Sequence, residues 1–597
     1  MQLLCRKVSK LFTVLSVLLL VLGVPHAQST PRHNGSHGSE PGGNGHHIRH
    51  VLLISIDGMH ALDFINCSKG ISGANGGAPY CPNLAALAET GVNYLDTSAS
   101  KPSDSFPGLT AIVSGGSPRT FGAFYDVAYD RSLAPPQNAT GNGLSGGTCT
   151  PGVFNGTTTE YEEGIDIDQS QLNGGAPAGA DGGILSIDPT KLPRNPADNC
   201  QPVYPWNFVR TNTIFGVIHG AGGYTAWSDK HPAYSSVSGP GSGTNVDDYY
   251  SPEINSIPVS LPGLTTSGCN PINDPNFSTD PNKNKLGSYT DSFVAIQCYD
   301  TLKVNAILNE IDGFTHNHSA KAQVPEIFGM NFQAVSVGQK LIEKNVGSGG
   351  YLDAVGTPSS PLLGEIQFVD NSIGQFVSEL KKGGLHESTL IIITAKHGQS
   401  PVDSPRYLGI ANKPGDPVTT SPSQLIDDCL PDSESNAGMQ IGPTEDDISL
   451  LWLKSGCSAV DEVNVLETQS PATNNVAGIG QIFWGSSLTQ MFNPPGLPPE
   501  GDPRTPDIIV SPNVGVTYSG SGKKQAEHGG FSHDDTNVIL LLSNPSFDPK
   551  TVTSPVETAQ IAPTILKVLG LDPNQLQAVQ KERTQVLPAM QFDGANN

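Results

Sequence analysis

Apolar positions in this chain fall into short runs closed by turn residues. Residues 51–58 read VLLISIDG, too short for a helix and stopped by Asp-Gly, which predicts a buried strand. TLIIITAKHG (389–398) and TNVILLLSNP (536–545) repeat the pattern, each β-rich and ended by Gly or Pro. Strands that are apolar on both faces belong to parallel or mixed sheets covered by helices. Helical spacing lies between them, at Tyr299–Ile311 and at Val369–Lys382, where Ile373, Phe376, Val377 and Leu380 share a face. The alternation predicts an α/β sandwich. Two stretches rich in Gly, Pro and Asn, about 130–205 and 405–505, read as loop-rich insertions beside the site. No repeat of solenoid period is visible.

The N-terminus changes the picture from fold to compartment. Arg6, Lys7 and Lys10 precede the apolar run Leu11–Val24, which leads to Ala27-Gln28 and predicts a secretory signal over 1–27. That run is shorter than the ~20 residues a bilayer-spanning helix needs, and no second long run follows, so no membrane anchor is expected. Residues 28–49 form a Gly/Ser/His linker with His33, His37, His46 and His47, whose metal binding would be adventitious. One folded domain is expected over 50–580 and a tail over 581–597. Of the nine cysteines, Cys5 leaves with the signal, and the rest form an even set without a CxxC pair, which points to disulfides and not to a zinc ribbon. The shortest-loop pairing is sequential: 67–81, 149–200, 269–298 and 429–457. Sequons at Asn34, Asn66, Asn138, Asn155, Asn276 and Asn317 fit a secreted, extracellular glycoprotein.

Lys and Arg number 32 against 56 Asp and Glu, a formal charge of −24. Nucleic acid and anionic membranes select for basic surfaces, so neither is an expected partner. No coiled-coil heptads or apolar stripe mark a partner helix, and a monomer is expected.

Two motif matches fail their context. Gly143-Leu-Ser145-Gly-Gly147 has the spacing of a nucleophile elbow but sits in a Gly-rich loop without the preceding strand. Gly520-Ser-Gly-Lys523 lacks the full P-loop spacing. What remains is a set of polar residues at strand ends. Asp57 ends the first buried strand, where open α/β sheets gather ligands. Ser105 in SDSFPG stands just before a helix that Pro107 favours starting, either as its cap or as a nucleophile served by the free amides. His397 follows the strand TLIIITA, and His528 in EHGGF precedes the last strand. Asp57, Ser105 and the two histidines together suit a metal-assisted hydrolase.

In the order ISIDG, SFPG with IVSGGSPRTFG, TAKHGQS and EHGGF, the chain resembles the type I phosphodiesterase/nucleotide pyrophosphatase branch of the alkaline phosphatase superfamily over about 50–545. The resemblance implies a three-layer α/β/α sandwich with a mixed, mainly parallel sheet, two zinc ions and a Ser/Thr nucleophile. It places the nucleophile at Ser105 and metal ligands at Asp57, His397 and His528. The match is incomplete. Lys396 stands where the family has a ligand Asp, and Gly108 where nucleotide pyrophosphatases have a phosphate-contacting Asn. The segment Met330–Val337 lacks the Asp and His of the pattern, leaving Asn331 and Gln333, amides that bind zinc poorly. One divalent metal or none is therefore expected in place of two zinc ions, with Lys396 close to Ser105 as a substitute cation. Lys230 and His231, in TAWSDKHP, are candidate anchors for a substrate anion or a general acid, or Lys230 forms a loop ion pair with Asp229. Asp534 and Asp535 either add oxygen ligands or cap the strand entry.

The leading expectation is a secreted hydrolase of phosphate esters or phosphodiesters, acting on a small phosphate ester or nucleotide through Ser105. The alternatives are a non-catalytic binder of anions or glycans on the same fold, and a sulfatase-like hydrolase, although Ser105 lacks the Cys/Ser-x-Pro-x-Arg setting of that family.

Overall fold

The computed structural model describes residues 48–590 apart from 177–180, 262, 265–268, 270–286, 411–419, 432–443, 469–477 and 520–521. The signal, the histidine linker, the end of the tail, Asn34 and Asn276 lie outside the described residues.

Eight strands make the central sheet: β1 His50–Ile56, β2 Gly91–Tyr94, β3 Ala226–Ser228, β4 Asp248–Tyr250, β5 Ile327–Phe332, β6 Thr389–Thr394, β7 Leu540–Ser543 and β8 Lys550–Val552. Their spatial order is β8-β2-β7-β6-β1-β5-β3-β4. Strand β1 runs parallel to β5 and β6, β5 to β3, β3 to β4 and β2 to β8, while β7 is antiparallel to both its neighbours. The sheet is mixed and mainly parallel, as the apolar runs and the resemblance imply.

Alternate residues of β1 serve two cores. Val51 and Leu53 pack with helix α1 (Ser105–Ser114) and with Ile561, Ala562 and Ile565 on one face. Leu52, Ile54 and Ile56 pack on the other with helices α2 (Phe293–Ile311) and α3 (Ser360–Lys382). Helices thus cover both faces, completing the three layers. The helical patterns at 299–311 and 369–382 fall inside α2 and α3, which begin earlier because Ser292 and Ser359 cap them.

All four sequential cysteine pairs are bonded. The stretch about 405–505, read as loop-rich from its Gly and Pro, contains a helix, Ala459–Glu467, and three strands of a four-stranded antiparallel sheet whose fourth strand, Ile508–Pro512, follows it; Ile410, Leu451, Val463, Ile508 and Val510 form a core there. Ser145 of the elbow-like motif is exposed in irregular chain, with no strand before it or helix after it. No helix among the described residues is long and apolar enough to cross a membrane.

Candidate active site

The carboxyl ends of the parallel strands converge on one edge of the sheet. Asp57 follows β1, Asp229 and Lys230 follow β3, Asn331 and Gln333 close β5, and Lys396 and His397 follow β6. His528 lies in the segment before β7, and because that strand is antiparallel its entry lies at the same edge.

Ser105 is the first residue of α1 and fully buried. The cap is the preceding residue: the Asp104 carboxylate accepts from the Phe106 amide at 3.2 Å and from the Asp126 amide at 2.9 Å. Ser105 is thus left free for other contacts. Its Oγ lies 2.8 Å from the Lys230 ammonium and 3.0 Å from His397 Nε2. His397 Nδ1 is 2.8 Å from the Gly398 carbonyl, an acceptor only, so Nδ1 carries the hydrogen and Nε2 accepts the serine proton. Burial, opposed by Asp57, holds the His397 imidazole below its ordinary range and keeps it neutral.

The cation beside the serine differs from the expectation. Lys396, buried as fully as Ser105, places its ammonium 2.7 Å from Asp229 Oδ1 and over the Tyr234 ring, 4.1 Å from its centroid. Lys230 takes the serine, its ammonium lying 3.7 Å from Asp57. Lys396 and His397 both lie past the end of β6, and their side chains reach different partners, Asp229 and Ser105. The Lys230–Asp229 loop pair does not form either: Asp229 accepts from the Lys230 backbone amide and the Trp227 indole, and gives its charge to Lys396. Burial works against the Lys230 charge, but Asp57, Asp126, Asp229 and Asp104 outweigh it and hold its pKa above that of an ordinary lysine. His231 turns away to Glu253, 2.9 Å from Nδ1, with Glu163 3.7 Å from Nε2, and has no contact with the serine.

Asn331 and Gln333 donate to the two oxygens of Asp57 at 2.7 and 2.6 Å. Against its own burial, Lys396 and Lys230 hold Asp57 ionised, well below the usual carboxylate range. The pair of zinc ions implied by the resemblance does not fit this donor set. Both Asp57 oxygens accept N–H groups, an ammonium stands between Asp57 and Ser105, and His397 Nε2 faces the serine. His528 stacks on His397 with ring centroids 3.9 Å apart. Its ligand atoms instead approach those of Glu527 and Asp446, all within 4.8 Å of one another. Glu527 there already pairs with Lys524 and lies 3.7 Å from Lys340. Gly108 has a steric cause: a Cβ there would stand 2.2 Å from the Lys396 carbonyl oxygen, so the close approach of α1 to the Lys396 segment excludes the family's Asn.

Unmarked by any motif, buried carboxyls crowd the site. Burial chiefly pushes Glu160 up to about 7, Glu253 to about 8 and Asp446 to about 8. The folded state therefore holds protons that the unfolded chain releases near pH 4, so this stability is full below that pH and is lost as pH rises through 7–8. Opposing groups such as Asp502, held at about 2 by Arg210 against its burial, withdraw stability only in stronger acid. The melting temperature is expected to peak near pH 5 and fall by several degrees toward pH 9 in a calorimetric or dye-based series; a flat or rising profile contradicts the protonated carboxyls.

A family model described as type I phosphodiesterase / nucleotide pyrophosphatase matches residues 51–159 and 304–534, more than half of the chain. No curated protein sequence matches. Among solved structures, the chain is similar to murine ectonucleotide pyrophosphatase/phosphodiesterase 5 at 14% identity and TM-score 0.48, covering 88% of this chain and 96% of that one. The human counterpart gives 12%, 0.46, 87% and 95%, and a variant of the alkaline phosphatase PafA gives 13%, 0.49, 90% and 97%.

Proposed function

From its membership of the type I phosphodiesterase / nucleotide pyrophosphatase family, to which this chain belongs, we propose that it is a secreted phosphodiester hydrolase in which Lys230 stands in for a metal cation at the nucleophile Ser105. Membership carries the coarser statement, a phosphoester hydrolase of a family whose members typically depend on divalent metals. The observation behind the finer one is the serine oxygen held between an ammonium at 2.8 Å and a bare imidazole nitrogen at 3.0 Å.

The chemistry follows from these protonation states. Ser105 Oγ attacks phosphorus while its proton passes to His397 Nε2. The imidazolium is compensated by Asp57, 3.5 Å from Nε2, and by the Gly398 carbonyl. Lys230 donates to the oxygens that gain charge, an arrangement that is fixed beforehand and shielded from water. The P–O bond to the alcohol breaks, and the alkoxide takes up a proton by way of solvent. Water then attacks the phosphoseryl phosphorus, losing its proton to solvent, while the P–O bond to Ser105 breaks and the serine oxygen takes back the proton that His397 carried. The signal and the four disulfides support an exported protein.

The complete burial of Ser105 favours one second reading, a binder without turnover, because the serine oxygen is closed to solvent. Hydrolysis of bis-(p-nitrophenyl) phosphate by the purified protein, with and without EDTA, separates the two. Turnover that persists in chelator is expected. Loss on chelation with recovery in zinc overturns the lysine substitution, and absence of hydrolysis together with measurable binding of the diester supports the second reading.

A further inference from the structure

Two ammonium groups are buried at the site edge of the sheet, each beside a carboxylate: Lys396 lies 2.7 Å from Asp229 and Lys230 lies 3.7 Å from Asp57. Asp229 Oδ1 serves both lysine residues, accepting from the Lys396 ammonium and, at 2.8 Å, from the Lys230 backbone amide. Like charges held in a dry interior repel strongly, so the arrangement needs a group that tells the two ammoniums apart. One aromatic ring faces both. The Lys396 ammonium stands over the Tyr234 ring, 4.1 Å from its centroid, and that of Lys230 is 5.6 Å from the same centroid.

Tyr234 belongs to the short helical turn Pro232–Ser238 that follows β3, and its amide donates to the His231 carbonyl at 3.0 Å. The side chain is fully buried. The His231 ring stacks on it with centroids 5.9 Å apart, and Phe106, the neighbour of Ser105, packs against it at 6.1 Å. Among the described residues the Tyr234 hydroxyl has no hydrogen-bond partner, although a buried phenol ordinarily finds one. The contacts of this side chain are therefore those of its ring and not of its polar tip.

We propose that Tyr234 is a positioning residue whose ring face holds Lys396 on Asp229 and thereby leaves Lys230 as the ammonium at Ser105. The negative face of an aromatic ring attracts cations, most strongly where water is excluded. Lys396, the nearer of the two, takes the larger share of that attraction and is fixed on Asp229. Lys230, near the ~6 Å limit of such contacts, is held more loosely and reaches the serine oxygen at 2.8 Å. The effect on turnover rests on the hydrolase reading; the effect on stability does not.

Fluorine draws electrons from a ring face while leaving its shape nearly intact, so a fluorinated series at position 234 of the full-length protein tests the proposal. Tyr234→Phe, which keeps the ring and drops the unpartnered hydroxyl, is the reference, and difluoro- and trifluorophenylalanine at the same position are compared with it. The unfolding equilibrium constant from urea denaturation is expected to rise stepwise, by about 30-fold from Phe to the trifluoro ring, the size of a desolvated ring–cation contact. Over the same series kcat for bis-(p-nitrophenyl) phosphate should fall by about tenfold with KM within about twofold. In a Lys396→Met, Asp229→Asn background most of the stability change should vanish. A ring that only fills space gives no such loss, because fluorination makes it more apolar. Fluorinated rings as stable as Phe, or a stability series that persists in full without Lys396, overturn the proposal. Stepwise destabilisation at constant kcat overturns the positioning of Lys230. Stepwise destabilisation in a protein that hydrolyses no ester leaves the ring–lysine contact standing and removes the hydrolase reading.

Discussion

Ser105→Ala is expected to abolish measurable phosphodiester turnover, with kcat/KM falling by at least about 10³-fold. Lys230→Met should lower kcat by about 10²- to 10³-fold, the range seen when one preorganised donor is removed from developing charge. Both effects converge on one atom, Ser105 Oγ, so the double variant should lose little more than Ser105→Ala alone. Folding should survive both changes. Without the Lys230 ammonium, Asp57 keeps Lys396, the largest of the charges that hold it ionised, and its Asn331 and Gln333 donors, and a methyl fits where the serine hydroxyl stood. A Ser105→Ala protein with parental activity would remove the serine mechanism, and a Lys230→Met protein with parental kcat would remove the lysine from it.

Lys396→Met acts on stability first. Its ammonium and the Asp229 carboxylate are both fully buried at 2.7 Å, and removing one partner of such a pair costs about 3–5 kcal/mol because the other charge is stranded. The remaining donors to Asp229, the Trp227 indole and the Lys230 amide, are neutral and do not replace the charge. Adding Asp229→Asn should return much of the loss, since an amide is cheaper to bury than an isolated carboxylate. Urea denaturation measures both steps. A single variant destabilised by less than about 1 kcal/mol contradicts the reading that Lys396 anchors the β3 end, and returns it to candidacy as the catalytic cation.

Local pattern reached far in this chain. The runs at 51–58 and 389–398 had to be central strands, since short segments that are apolar on both faces find cover only between helix layers. Asp57, Ser105 and His397 were legible together because each stands where a run or a helix ends, and the sheet edge then collects them. The cysteine pairs were legible because short loops close at the lowest entropic cost.

Partner choice among buried charges was not legible. Whether Lys230 or Lys396 meets the serine depends on strand order, which sets β3 two places from β1, and on the direction in which each side chain leaves its strand. The antiparallel sense of β7 brings His528 to the same edge. Hydrophobic periodicity, motif order and cysteine spacing thus sufficed, from the sequence alone, for the α/β class, the neighbourhood of the site and the disulfides, because burial, chain direction and loop closure act over short stretches of chain. Only the tertiary structure decided which ammonium meets the serine, because ion pairing in a dry interior is settled by ångström distances between segments more than a hundred residues apart.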